Sequence, residues 1–274
     1  MKIVFLIEDR SGRPGLGVEH GLALWVEHAG GRWLFDAGRS GLVVRNAAEL
    51  GIALGTAEGI LLSHGHYDHT GGLPAVLADM REKRIFAHPD IFRKRWRLRK
   101  DKKPRSIGFP ARRKAIERAG GKFIFNRGPR EIAPGIFLSG PVPRTVDGEK
   151  GRRSLAVGEA GRFRPDDFQD EQFLLAETRG GLVMLSGCCH AGLINSLRHL
   201  RALRPRRAIR AVIGGFHLVR ARPSTIERTL DELEACRPAL VVAGHCTGEK
   251  AERAMAEKFG RRFLSLRAGT TIEL

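Results

Sequence analysis

Four side chains able to bind divalent metals leave one short stretch of this chain. In LLSHGHYDHTGGL, residues 61–73, His64, His66, Asp68 and His69 fall within six positions, behind an apolar run and ahead of a Gly-Gly pair. Neutral imidazoles and a carboxylate are donors for zinc, iron, manganese or cobalt. Buried together without an ion, they would lose water and gain nothing in exchange. If residues 59–63 end a buried strand, His64 and His66 leave on one side at the strand's period of two, while Asp68 and His69 sit on the turn into a helix. The two pairs then face two neighbouring points, so one loop can serve two metals. The bland alternative is a polar loop with coincidental histidines, and the H-x-H-x-D-H spacing is far more specific than that reading needs.

Three later segments, GLVMLSGCCH, AVIGGFH and ALVVAGHC, each read as a buried strand ending in glycine and a possible ligand. Helical stretches at 193–203 and 224–236 separate them, as βαβ crossovers require. Such layers gather ligands at the strand ends of one edge, so His190, His217 and His245 are expected to converge on the metal loop. Upstream, 3–7, 22–27 and 32–36 read as strands between glycine-bearing turns. His20, at the entrance of the second, reads equally as a pocket residue or a surface turn. Further helices are expected at 43–50, at 73–81 with Pro74 in its first turn, at 112–119 and at 249–259. Further strands are expected in RIFAHPD and at 122–125, 135–139 and 262–266. His88 reads as a structural turn before Pro89, with a pocket-lining role as the rival. Residues 1–274 read as a single domain. Within it, 93–153 is basic, broken by Pro and Gly, and too poor in apolar residues for a core of its own, so it reads as an insertion or variable arm.

No run of eighteen apolar residues occurs in the 274, and the opening MKIVFLIEDR reads as a strand, so a cytoplasmic protein with no membrane association is expected. The four cysteines, Cys188, Cys189, Cys236 and Cys246, form no secreted disulfide pattern and fit a reducing compartment. The balance of 48 Lys+Arg against 30 Asp+Glu, a formal net charge of +18, suits an anionic partner: a phosphorylated metabolite or a nucleic acid. The excess concentrates at 198–210, which reads as a solvated face, and at 93–113. There Trp96 and Phe109 interleave with the bases, as in a lid or a phosphate-gripping arm.

The metal loop, with EHGLALWVE, LFDAGRSG, DEQ, SGCCHAGLIN, IGGFHL and AGHCTG, resembles the metallo-β-lactamase superfamily, and within it the subfamily of dihydropterin ribofuranosylaminobenzene phosphate synthase. The resemblance implies an α/β fold, a four-layer αβ/βα sandwich with two mixed sheets between helices. It also implies two divalent ions, with zinc the default and iron or manganese fitting the same donors. His64 and His66 would hold one ion, Asp68 and His69 the other, and His245 would complete the second, while Asp36 would orient the loop from behind. His190 is the expected third ligand of the first ion. The bridging aspartate of the superfamily has no counterpart, because Gly187-Cys188-Cys189-His190 stands in its place. Water, Cys188 or Cys189 is expected to replace it, with Asp170 or Glu171 as the other option. A thiolate ligand would favour zinc. His217 falls where the related ribonuclease Z carries a catalytic histidine, which implies a proton shuttle or substrate contact, and Asp68 is read as catalytic as well as ligating. The implied activity is metal-dependent hydrolysis of an anionic, phosphorylated small molecule. Its rivals are a pterin-type synthase in which an arylamine displaces diphosphate, RNA processing, and a non-catalytic metal-binding protein.

Overall fold

Strands without a polar face must be covered on both sides, and here they are: Gly181–Ser186 is buried at all six positions and Lys2–Ile7 at five of six. The computed structural model describes residues 1–149, 154–159 and 161–274, so residues 150–153 of the expected arm lie outside it. Two seven-stranded sheets cover each other. The first runs, edge to edge, Thr271–Glu273, Lys2–Ile7, Ala23–His28, Gly31–Phe35, Gly59–Leu61, Lys83–Ala87 and Gly121–Phe125. The second runs Phe263–Ser265, Leu240–Gly244, Ile209–Gly215, Gly181–Ser186, Leu174–Thr178, Ile136–Leu138 and Arg130–Ala133. Both are mixed, the first turning parallel after Gly31–Phe35 and the second parallel from Gly181–Ser186 to Phe263–Ser265.

Side chains such as Phe5, Leu24, Phe35 and Leu61 meet Leu174, Leu185, Ile213 and Val242 in the layer between the sheets. The outer faces take helices. Leu42–Glu49, Leu73–Met80 and Arg113–Arg118 cover the first sheet through residues such as Val43, Val76 and Ile116. Leu193–Leu203, Pro223–Ala235 and Glu249–Phe259 cover the second through Leu197, Leu230 and Met255. Each fully buried Leu, Ile or Phe is worth roughly 1.5–3 kcal/mol, so three apolar layers make a stiff frame. The result is the four-layer αβ/βα sandwich. No helix among the described residues is long and apolar enough to cross a membrane.

The span 93–153 does not behave as one arm. Gly121–Phe125 extends the first sheet in parallel with Lys83–Ala87, and Arg130–Ala133 with Ile136–Leu138 extends the second. The existing sheets supply the apolar cover that this segment lacks by itself. What stands apart is a hairpin, Arg95–Arg99 with Lys102–Ser106, which joins Leu155–Glu159 and Arg162–Pro165 in a third, four-stranded sheet.

Strand register decides where functional side chains emerge. Leu185, Ile213 and Val242 stand level across three parallel strands, so the loops beginning at Gly187, Phe216 and His245 leave one edge together. In the first sheet Phe35 stands level with Leu61, which brings Asp36 beside the start of the His64 loop.

Candidate metal centre

The first donor cluster is made of three imidazoles. His64 Nε2 and His190 Nε2 each lie 3.1 Å from His66 Nδ1, and all three rings are buried. The Ser63 hydroxyl donates its one proton to Asp36 Oδ2 at 2.7 Å, so its 2.9 Å contact with His64 Nδ1 must be donated by the ring. His64 Nε2 is left with a bare lone pair facing the other two rings. Burial pushes all three imidazoles well below their usual range and keeps them neutral, the form that ligates. Among the described residues His66 Nε2 and His190 Nδ1 are buried without a hydrogen-bond partner, so the cluster is not a self-satisfied polar core. Phe168 closes one side, stacked on His190 at 4.2 Å and edge-on to His66 at 5.5 Å.

The second cluster surrounds a thiol. Cys188 Sγ lies 3.1 Å from His69 Nε2 and 3.4 Å from His245 Nε2, and Asp68 Oδ2 lies 3.8 Å from the same His245 nitrogen. His69 Nδ1 donates to Asp36 Oδ2 at 2.7 Å and His245 Nδ1 donates to Asp9 Oδ1 at 3.0 Å, so both Nε2 atoms turn towards the sulfur. Burial alone would lower His69, but Asp36 beside it carries its pKa above the usual value. Burial pushes the Cys188 thiol far up. The donor atoms of Cys188 also group with those of His64 and His69, and with those of His190 and His217, each set within 4.8 Å. Cys188 therefore stands between the two clusters. Cys189 turns the other way, into the core of the second sheet, with its sulfur 3.7 Å from Ser196 Oγ.

Asp170 and Glu171 do not join the donors, contrary to the option that either fills the bridging place. Asp170 accepts from Gly65 N and from Arg95, and Glu171 accepts the backbone N–H groups of His190 and Ala191. Burial raises their carboxyls to about 6 and about 7. They brace the ligand loops from behind. His20 belongs to the pocket: its Nδ1 shares Asp9 at 2.8 Å, its Nε2 is 3.2 Å from Asp68 Oδ2, and its ring stacks on His245 at 4.8 Å. His217 places its ring 4.3 Å from that of His190. His88 accepts from Asp90 N and caps the short helical turn Pro89–Phe92, a structural role.

Reading the sequence missed Ser63, Glu8, Asp9, Phe168 and Arg95. Glu8 and Asp9 follow directly on the first strand, and a Glu-Asp pair at the end of an apolar run was the one visible signal. Glu8 accepts from the backbone of His245 and Arg10, while Asp9 joins His20 to His245. Arg95, fully buried, bonds Asp166 Oδ2 at 2.7 Å and Asp170 Oδ1 at 2.5 Å. Five non-glycine residues in and around the site, Asp36, Phe168, Cys189, His217 and His245, hold left-handed backbone with φ of 58°, 48°, 57°, 49° and 50°, a conformation found where surroundings over-determine it. Gly65, between two histidines, has room for nothing larger: a Cβ there would lie 2.0 Å from the Ile91 carbonyl oxygen.

The centre opens into a cleft of about 80 Å³ whose walls include His20, Tyr67, Asp68, Arg97, Arg105 and Cys188. Beside it lies a chamber of about 420 Å³ lined in part by Phe168, Phe216, Leu218 and Arg220. Leu155, His190 and His217 line both. Two adjoining sets of nitrogen, sulfur and carboxylate donors suit divalent cations, and the arginines beside them suit an anion.

Comparison with known proteins gives a consistent result. The family model for the metallo-beta-lactamase superfamily matches residues 16–245. The 7,8-dihydropterin-6-methyl-4-(beta-D-ribofuranosyl)-aminobenzene-5'-phosphate synthase of Methanocaldococcus jannaschii is 33% identical over 286 aligned positions, covering 100% of this chain and 96% of the relative. The crystal structure of Tm1679, a metal-dependent hydrolase of the beta-lactamase superfamily, superposes with a TM-score of 0.86 at 32% identity, over 100% of this chain and 99% of that one. Zinc-bound PqqB from Methylobacterium extorquens, at 14% identity and a TM-score of 0.58 over the full length of both chains, shares the fold.

Proposed function

The chain belongs to the metallo-beta-lactamase superfamily, and from that premise we propose a metal-dependent enzyme with a binuclear centre acting on an anionic, phosphorylated small molecule. The observation that carries the proposal is the pair of buried donor clusters whose ring tautomers are set by Ser63, Asp36 and Asp9. His64, His66 and His190 would hold one ion. Asp68, His69 and His245 would hold the other, with Cys188 between them where a bridging carboxylate would otherwise stand. A thiolate in the set favours zinc over iron or manganese. A divalent ion so held supplies Lewis acidity towards a phosphoryl or carbonyl oxygen and makes a water nucleophile available near neutral pH.

The protein's own groups then bind and orient. The net charge of +18 and the arginines of the cleft draw an anion to the centre. Asp68 and His217, which line the cleft, would take part in proton transfer, and Asp9, bonded to both, would hold His20 and His245 in position. Hydrolysis is supported by the likeness to a metal-dependent hydrolase, and a synthase reaction by the 33% identical relative. A release of diphosphate that requires an amine co-substrate separates the two. The four cysteines are unpaired, which suits the reducing cytoplasm. The first experiment is elemental analysis of protein purified without added metal, alongside His190→Ala, with both assayed on phosphodiesters and phosphorylated pterins. About two ions per chain falling towards one, with loss of turnover, supports the binuclear enzyme. Absence of metal from the wild type refutes it.

A further inference from the structure

Two of the four cysteines, Cys188 and Cys246, line the metal cleft. Cys189 packs in the core of the second sheet and Cys236 against it, whereas Cys246, although buried, belongs to no apolar cluster among the described residues. Strand order brings the two cleft thiols together. Gly215 stands level with Gly244 of the next strand, and its N–H donates to Gly187 O at 3.0 Å. Cys188 and Cys246 therefore leave their strand ends on either side of Gly215. A Cβ at that glycine would lie 2.7 Å from Cys246 Sγ, so only glycine leaves the sulfur its space. Consecutive residues His245 and Cys246 both reach the cleft because they sit in the short turn His245–Thr247, with His245 in left-handed backbone at φ 50°. That turn is pinned where Cys246 O accepts from Val219 N at 3.2 Å and Thr247 Oγ1 from Phe216 N at 3.0 Å. Cys246 Sγ donates to Cys188 O at 3.5 Å, and the two sulfurs lie within 4.8 Å of each other and of a His245 ring nitrogen.

We infer that Cys246 is a further metal ligand, the second thiolate of the position shared by His69, His245 and Cys188. Zinc lies about 2.3 Å from sulfur and about 2.0 Å from imidazole nitrogen, so donors this close share one ion after small side-chain rotations. Each thiol gives up its proton to solvent as its bond to the metal forms. Two sulfurs and two imidazole nitrogens are the donor set of zinc, whereas manganese takes carboxylate, carbonyl and water oxygens. Asp68 adjoins this set as an oxygen donor. The two positions of the centre then differ in kind: three imidazoles with one sulfur beside them at His64, His66 and His190, and a pair of thiolates at the other. Soft, zinc-like ions are selected at the second position alone. The assignment rests on the reading of the clusters as a binuclear centre, but ligation is measurable without turnover.

The experiment is nuclear magnetic resonance of isotopically enriched cadmium bound to the whole chain, in which each thiolate ligand moves the metal signal downfield. The wild type, Cys246→Ser and a control away from the cleft, Cys236→Ser, are compared, with a thermal melt of each and a competition between zinc and manganese. Expected are two signals in the wild type, the further downfield in the range of two thiolates. In Cys246→Ser that signal moves upfield by one thiolate while the other stays, and in Cys236→Ser neither moves. Preference for zinc over manganese is expected to fall about tenfold or more in Cys246→Ser. Two signals that stay in place in the folded Cys246→Ser variant overturn the ligand and leave the binuclear reading standing. Should that variant not fold, the wild-type spectrum decides, since the absence of a signal in the two-thiolate range overturns the ligand as well. A single cadmium per chain whose signal moves with Cys246→Ser supports the ligand and refutes the binuclear reading alone, and failure of the folded wild type to bind cadmium refutes both.

Discussion

Exchanging one atom at Asp36 tests the logic of the metal centre. Asp36 Oδ1 accepts from Ser63 N at 2.8 Å, and Oδ2 accepts from both Ser63 Oγ and His69 Nδ1 at 2.7 Å. Asp36→Asn keeps the shape, and asparagine tolerates the φ of 58° found there. If the amide oxygen stays on Ser63 N, the amide nitrogen faces the hydroxyl and the imidazole as a donor. His69 must then offer a lone pair at Nδ1 and carry its proton on Nε2, the atom 3.1 Å from Cys188. The Ser63 hydroxyl, now an acceptor from the amide, turns its proton towards His64 Nδ1 and drives that ring to the same wrong tautomer. The flipped amide avoids this only by opposing the Ser63 N–H, which leaves a buried donor unpaired at about 1–3 kcal/mol. Loss of such a supporting partner costs about 10–100-fold in metal affinity, or about 1.4–2.7 kcal/mol. Chelator competition on the folded variant measures the affinity, and nitrogen chemical shifts of the histidine rings report the tautomer. Wild-type affinity for both ions, with unchanged ring shifts, would refute the reasoning.

Three further outcomes follow from the same geometry. Arg95→Met strands two buried carboxylates and is expected to destabilise by about 3–5 kcal/mol, read from the denaturant midpoint; an unchanged midpoint contradicts the role given to the Arg95–Asp166–Asp170 group. Gly65→Ala drives a Cβ against the Ile91 carbonyl, a backbone atom that cannot swing aside, and is expected to cost about 1–3 kcal/mol together with metal content. Cys188→Asp is expected to retain about two metals per chain and Cys188→Ala about one, so equal content in the two variants would remove the thiol from the centre.

The ligand loop was legible because its donors are contiguous and chemically uncommon in combination. Crossover helices 193–203 and 249–259 were legible from apolar spacing, and the structure begins and ends them at those residues. Of what supports the donors, only Asp36 was legible, and that through the family resemblance. Asp9 was not, because it reaches His245 across 236 positions of sequence, a pairing that only the sheet order creates. Arg95 misled for a physical reason: in RKRWRLRK it looks like any solvated base, yet tertiary contacts give it two buried carboxylates. The strands at 121–125 and 130–138 were assigned to an arm because local apolar content was thin, and that content suffices once two large sheets provide the other side of the layer.

Both halves of the sandwich feed the centre, and this has a consequence for how the molecule comes together. His66 and His190 are 124 positions apart, as are no two donors within the loop, and Gln172 ties the halves at the same seam through its bonds to Leu62 and Ser63. A chain cut anywhere between Thr70 and Gly187 leaves neither fragment with a complete donor set. Uptake of metal is therefore a read-out of finished tertiary assembly: a nascent chain can collapse, form helices and pair its first strands, and still bind no ion tightly until its second half has docked.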